Sequence, residues 1–207
     1  MLDEPEQRTV IRGLRDGQRD AWTMLYDGYS TDVWRYVARL IGPAAADVAD
    51  IVQETFLAAA RSAKSFDANR GTLGSWLTGI AHHQTSLYWR QLNKVARLKE
   101  LAQAGAGDLK RWLDEANHED ELWQRQELTD LVRATLAALS SDYAVLLTAK
   151  YLDDQSLEEI AADMGGTVDS IKSKLARARR DFRARFERVT RDPSPIYDGT
   201  YSARGPD

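Results

Sequence analysis

The chain contains no cysteine, which excludes disulfide cross-links and thiolate metal sites. It has only three histidines, His82, His83 and His118. The adjacent pair has no carboxylate or third histidine at ligand spacing, so no metal site is expected. No apolar run is long enough to cross a bilayer, and the opening MLDEPE is acidic where a secretory signal would be basic. A cytoplasmic protein without membrane insertion is therefore expected. No segment alternates apolar and polar residues long enough to make a convincing strand. No nucleophile–base or paired-carboxylate constellation stands out, so neither an enzyme nor a cofactor is expected.

What is present is helical periodicity on a chain of 207 residues, 43% hydrophobic and 29% charged. This is an ordinary globular composition, long enough for one or two small domains. Val10, Leu14, Ala21, Leu25 and Tyr29 predict two helices broken near Gly17. Val33, Val37 and Leu40 predict a third, from an N-cap at Ser30 or Thr31 to a stop at Gly42-Pro43. A fourth runs from about Ala45 to Lys64, with Val48, Ile51, Val52, Thr55, Phe56 and Ala59 on one side. Residues 65–72 read as a turn-rich loop. Leu73, Trp76, Leu77, Ile80, Ala81 and Leu87 mark a fifth helix reaching about Arg90. Helices resume with Leu128, Leu131, Val132, Leu136 and Leu139, then run from Tyr143 to Leu152.

The most specific local pattern follows. Ser156 and Glu159 form a capping box, Gly165-Gly166 suits a left-handed helix exit, and Thr167 is an N-cap with Asp169 in the first turn behind it. On the next helix Val168, Ile171, Leu175, Ala178 and Phe182 fall on one stripe, while Lys172, Lys174, Arg177, Arg180 and Arg183 occupy the other face. This is the layout of a helix-turn-helix whose second helix enters the DNA major groove. From 167 to 191 there are nine Lys or Arg residues, against only Asp169, Asp181 and Glu187.

The net charge of −4 is an average over opposed segments. Between 108 and 130 the acids Asp108, Asp114, Glu115, Glu119, Asp120, Glu121, Glu127 and Asp130 face only Lys110, Arg111 and Arg125. With the break QAGAGD at 103–108, residues 93–127 read as a flexible acidic linker with some helix. So long a connection argues for two domains. The expected organisation is all-α: a helical bundle over 1–92, the linker over 93–127, a helix-turn-helix domain over 128–191, and a disordered tail over 192–207.

The segments DVADIVQETF (47–56), SFD (65–67) and GSWLTGIA (74–81) resemble the second conserved region of sigma-70 family transcription initiation factors. LSSDYAVLL (139–147), SLEEIA (156–161) and IKSKLARAR (171–179) resemble that family's fourth region. Two regions in this order with an acidic linker resemble the small extracytoplasmic-function (ECF) class, over about residues 8–92 and 125–187.

The resemblance implies roles for particular residues. Asp50, Ile51, Gln53 and Glu54 would bind the clamp coiled-coil of core RNA polymerase, with Ile51 supplying apolar contact. The loop at 65–72 and the helix after it would hold the minus-ten element as a single strand. There Asp67, Asn69, Arg70, His83, Tyr88, Trp89 and Arg90 are the candidate contacts; Phe66 reads as a core anchor, and Trp76 as packed internally. Lys172, Ser173, Ala176 and Arg177 would read the minus-thirty-five element. Lys174, Arg179, Arg180 and Arg183 would hold phosphates. The implied partners are core RNA polymerase, promoter DNA and an anti-sigma factor or other regulator. The linker would lie in the basic RNA-exit path. The chain departs from the family pattern at His83 (usually Asn), Leu87 (usually Asp) and Ala49 (commonly acidic).

Three alternatives stay open: a helix-turn-helix regulator, a polymerase adaptor without promoter melting, and a helical metal-dependent hydrolase using His82, His83 and His118.

Overall fold

The computed structural model describes residues 4–68, 71–104 and 120–191. Eight α-helices account for nearly all of them: α1 (Glu4–Arg15), α2 (Arg19–Ile41), α3 (Val48–Ser62), α4 (Leu73–Ala104), α5 (Asp120–Ala137), α6 (Ser141–Tyr151), α7 (Leu157–Met164) and α8 (Val168–Arg191). There is no strand among the described residues, in keeping with the all-α expectation.

The break after α1 falls where the sequence places it. Gly17 adopts φ 70°, and the Gln18 N–H reaches back to the Gly13 carbonyl at 2.8 Å. The expected break at Ser30 does not occur: α2 runs unbroken to Ile41. Ala21, Leu25, Tyr29, Val33, Val37 and Leu40 form one buried stripe along it, and that continuous burial outweighs the local preference of Ser30 and Thr31 for a cap. The stop at Gly42 is real. With φ 102° it closes the helix by donating its N–H to the Ala38 carbonyl at 2.8 Å, a backbone angle that favours glycine.

α3 buries Val48, Ile51, Val52, Thr55 and Ala59 against α2 and α4, and a single 3₁₀ turn (Ala63–Ser65) follows it. Phe66 is a core residue, as expected, with its ring centroid 5.2 Å from that of Trp76. The Arg15 guanidinium donates to the Phe66 carbonyl at 3.1 Å, which ties the start of the loop to α1. α4 continues past its expected end at Arg90 as far as Ala104. The middle of the acidic linker and the 192–207 tail lie outside the described residues.

In the C-terminal half, α5 and α6 cradle the helix-turn-helix formed by α7 and α8. The capping box is present: the Glu159 carboxylate accepts the Ser156 N–H at 2.7 Å, and the Ser156 hydroxyl accepts the Glu159 N–H at 3.2 Å. The Ser156 N–H, by donating to the carboxylate, favours its ionised form, and the Glu159 carboxyl is held below its ordinary range. Gly165 exits α7 with φ 67°, and the Thr167 hydroxyl accepts the Ser170 N–H at 3.2 Å to start α8. Ile171, Leu175 and Ala178 are buried along α8 as the stripe predicts, and Val168 and Phe182 pack at its margin.

The two halves touch. α5 packs on α2 and α4, and α6 packs on α4. The Ser86 hydroxyl on α4 donates to the Ala137 carbonyl at 2.6 Å, where α5 ends. His82 Nε2 lies 2.9 Å from the Leu139 carbonyl, and His82 Nδ1 lies 3.0 Å from the Tyr36 hydroxyl. A carbonyl can only accept, so Nε2 carries the proton and Tyr36 donates to Nδ1. Arg39 on α2 pairs with Asp153 just after α6.

Candidate nucleic-acid and polymerase interfaces

α8 presents its polar face to solvent because its apolar stripe is fully used against α5, α6 and α7. Lys172, Ser173, Ala176, Arg177, Arg179, Arg180 and Arg183 are all exposed, and Lys174 is half-buried. These are all the residues expected to meet the duplex of the upstream element, and one helix brings them together. They differ in how they are held. Lys172 lies 3.4 Å from Asp169, Lys174 leans toward Asp142 at 3.9 Å, and Arg177 and Arg179 fold back on the Ser173 and Leu175 carbonyls at 3.4 Å. Arg180 and Arg183 make no hydrogen bond or ion pair among the described residues. Between α8 and the start of α6 lies a cleft of about 420 Å³ into which Lys174 and Arg177 open beside Ser140 and Asp142.

The N-terminal half offers a different surface. Asp50, Gln53 and Glu54 are exposed on one side of α3, with Glu54 3.5 Å from Arg61. Ile51 does not share that side. It is only 7% exposed and belongs to the core, because three- and four-residue spacing places it with Val48 and Thr55. The apolar residue that does accompany the acidic and amide groups is Leu57, 43% exposed. Phe56 is half-buried, with its ring 4.9 Å from that of exposed Tyr26. Leu57 escaped sequence reasoning because its position is four residues past Gln53, beyond the segment that carried the family likeness.

The candidate single-strand contacts divide. Asn69 and Arg70 lie outside the described residues. Asp67 is half-buried at the start of the loop, while His83 and Arg90 are exposed on α4, the Arg90 Nε donating to the Ser86 carbonyl at 3.3 Å. Tyr88 is half-buried, and its hydroxyl is pushed up to about 12 by burial first, then by a hydrogen bond to and the charge of Asp47. Trp89 is the correction. It is only 9% exposed, and its indole N–H donates to the Leu40 carbonyl at 3.0 Å. The ring therefore faces the bundle interior rather than a strand of DNA.

His82 is buried, unlike its neighbour. Burial lowers its pKa and the charge of His83 adds to that, while the bond to the Leu139 carbonyl opposes both. Among the described residues no group of three His, Asp or Glu side chains is placed to hold a metal ion, and His118 lies outside them. No described helix is long and apolar enough to cross a membrane.

Fold and surfaces together define a two-part helical DNA-binding protein: a helix-turn-helix with an open cationic face, joined to a bundle that presents an acidic, amide-bearing one. Comparison with known proteins narrows the class. The family described as Sigma-70 region 2 matches residues 25–95, and that described as Sigma-70, region 4 matches residues 129–182. The chain is 27% identical over 181 residues to the ECF RNA polymerase sigma-E factor of Salmonella typhimurium, covering 86% of this chain and 93% of that one. The sigma-E factor of Escherichia coli (strain K12) gives the same identity and coverage. The ECF RNA polymerase sigma factor SigW of Bacillus subtilis is 26% identical, over 84% of this chain and 92% of its own. Among solved structures, CnrH in complex with the cytosolic domain of CnrY aligns at 20% identity and a TM-score of 0.45, over 88% of this chain and 98% of that one. The chain belongs to the sigma-70 family, in its ECF class, and is a transcription initiation factor that directs RNA polymerase to promoters.

Proposed function

We propose that the chain binds core polymerase through the exposed side of α3, formed by Asp50, Gln53, Glu54 and Leu57. An acidic, amide-bearing face with one apolar anchor suits a basic helical partner. α8 then reads the upstream promoter element. Lys172 and Arg177 are long enough to reach guanine edges in the major groove, Ser173 can adapt to base or phosphate, and Ala176 leaves room for close approach. Lys174, Arg179, Arg180 and Arg183 hold the backbone without reading sequence. Around the start of α4, Asp67, Asn69 and Arg70, with His83, Tyr88 and Arg90 further along, hold the melted downstream element. Division into a clamp-and-minus-ten unit, an acidic linker and a minus-thirty-five unit follows the same reading. The family likeness also supports an anti-sigma factor as a partner.

The observation that carries this reading is the cationic face of α8, exposed at Lys172, Arg177, Arg179, Arg180 and Arg183 while its apolar stripe packs in the core. In run-off transcription with purified core polymerase and a genomic fragment library, discrete transcripts with common upstream sequence are expected. Polymerase binding without such transcripts would instead support an adaptor.

A further inference from the structure

We propose that Gly79 is a contact point for the captured single strand, which crosses α4 there with its sugar–phosphate backbone laid on the helix between Ser75 and His83; this rests on the reading of α4 as a holder of the melted downstream element. Gly79 lies inside α4, away from either end, where glycine weakens a helix relative to alanine through its backbone freedom. Other glycines have a reason within the chain. A Cβ on Gly13 would lie 2.6 Å from the Ala21 Cβ, and one on Gly74 would lie 3.2 Å from the Tyr29 ring. Gly17, Gly42 and Gly165 hold positive φ. A Cβ on Gly79 would meet nothing within 4 Å, and its φ is not positive. Helix stability is therefore given up at this position with no gain inside the fold, which points the open space at an outside partner.

The surroundings select a nucleic acid as that partner. Positions 75, 79 and 83 are four apart and share one side of the helix; Ser75 and His83 are exposed, and Gly79 is half-buried. Ser75 to His83 spans about 12 Å of axis at about 1.5 Å per residue, room for one crossing strand with a hydrogen-bonding side chain on either side. The helix start is held in place, because the Thr72 hydroxyl accepts the Ser75 N–H at 3.1 Å and the Ser75 hydroxyl donates to the Thr72 carbonyl at 2.9 Å. No Asp or Glu occurs from residue 68 to 99, although the chain has 32 of them among 207 residues, while five Lys or Arg residues do. That clearing of negative charge suits the approach of a phosphate backbone. A protein partner would call for an apolar anchor, and the exposed large apolar side chains of the N-terminal half lie elsewhere, at Tyr26, Trp34, Leu57 and Leu92. With no side chain at 79, the strand can rest against the helix backbone, as glycine permits wherever another backbone comes close.

Stability and strand binding should then move in opposite directions. Gly79→Ala should raise the thermal midpoint of the free protein by about 1–4 °C. The probe for function is the fluorescein-labelled non-template strand of the minus-ten element, taken from a promoter recovered by run-off transcription. Holoenzyme assembled with Gly79→Ala should bind it about fivefold or more weakly than wild-type holoenzyme does, and Gly79→Leu should bind it more weakly still. Affinity for core polymerase, and for a short duplex carrying only the upstream element, should stay unchanged in both variants. Strand binding equal to the wild type in both variants overturns the contact; a loss on the same probe from His83→Ala would then leave the reading role of α4 intact. A lower midpoint for Gly79→Ala also overturns it, because the glycine would be serving the fold. So does a loss confined to core polymerase affinity, which would give the open space to a protein partner. Wild-type holoenzyme that binds no minus-ten strand removes the reading role of α4, and this contact with it.

Discussion

The indole N–H of Trp89 donates to the Leu40 carbonyl at 3.0 Å, joining α4 to the last turn of α2. That carbonyl is one of the helix-end acceptors with no intrahelical donor, so the bond is structural. Trp89→Phe keeps the ring but removes the donor, and should lower stability by about 1–3 kcal/mol. Trp89→Ala should cost about 3–5 kcal/mol. Urea unfolding measures both. Promoter opening by Trp89→Phe, assayed with permanganate at a temperature where the variant is folded, should match the wild type. A selective loss of opening would return Trp89 to the DNA.

Ile51 is buried and Leu57 exposed on α3, and substitution separates their roles. Ile51→Ala should reduce unfolding stability by about 2–5 kcal/mol. Leu57→Ala should leave the thermal midpoint nearly unchanged while weakening core polymerase binding about fivefold or more, the loss typical of an apolar anchor. Titration of fluorescent protein with core polymerase gives the second quantity. If Leu57→Ala binds like the wild type, the interface lies elsewhere on the bundle.

Where sequence reasoning succeeded and failed follows from the range of the interactions involved. The Ser156–Glu159 box, the Gly42 stop and the α8 stripe are set within a few residues, and each formed as read. Ser30 misled because a local cap preference was overruled by burial of Tyr29 and Val33 on either side of it. Ile51 misled because family likeness names a helix segment, while exposure depends on which neighbours that helix meets. The contact between the two halves left no trace in the sequence. Its acceptors are the backbone carbonyls of Ala137 and Leu139, a group that every residue type carries, and its donors, Ser86 and His82, carry no local pattern that names a distant partner. Only tertiary structure pairs groups more than fifty residues apart.

His82 makes stability depend on pH. Its folded pKa lies below the ordinary value, mainly through burial, so the unfolded chain binds the proton more readily. The stabilisation is therefore complete above about pH 6.5, the unfolded value, and declines as pH falls from there toward the depressed folded value. Chemical denaturation of the wild type should show a falling midpoint between about pH 7 and 5. His82→Gln, which retains a donor for the Leu139 carbonyl, should flatten that slope. Equal slopes in the two proteins would mean that other groups govern the window.

On α8, Arg177 and Arg183 are both exposed yet should fail differently. Arg177 sits one turn beyond Ser173, its Nε lying 3.4 Å from that carbonyl, and it opens into the cleft beside the start of α6. A guanidinium there can meet a guanine edge in two hydrogen bonds, worth about 1–3 kcal/mol of discrimination. Arg177→Ala should thus lose roughly 5- to 150-fold on duplexes bearing the preferred base and little on duplexes where it is changed. Arg183 lies nearly two turns further along and is free of partners among the described residues. Arg183→Ala should weaken all duplexes alike and reduce the slope of log affinity against log salt by about one. Fluorescence anisotropy over a salt series on matched and base-substituted duplexes measures both patterns. Uniform loss from Arg177→Ala would move that residue to the phosphates and leave base reading to Lys172 and Ser173.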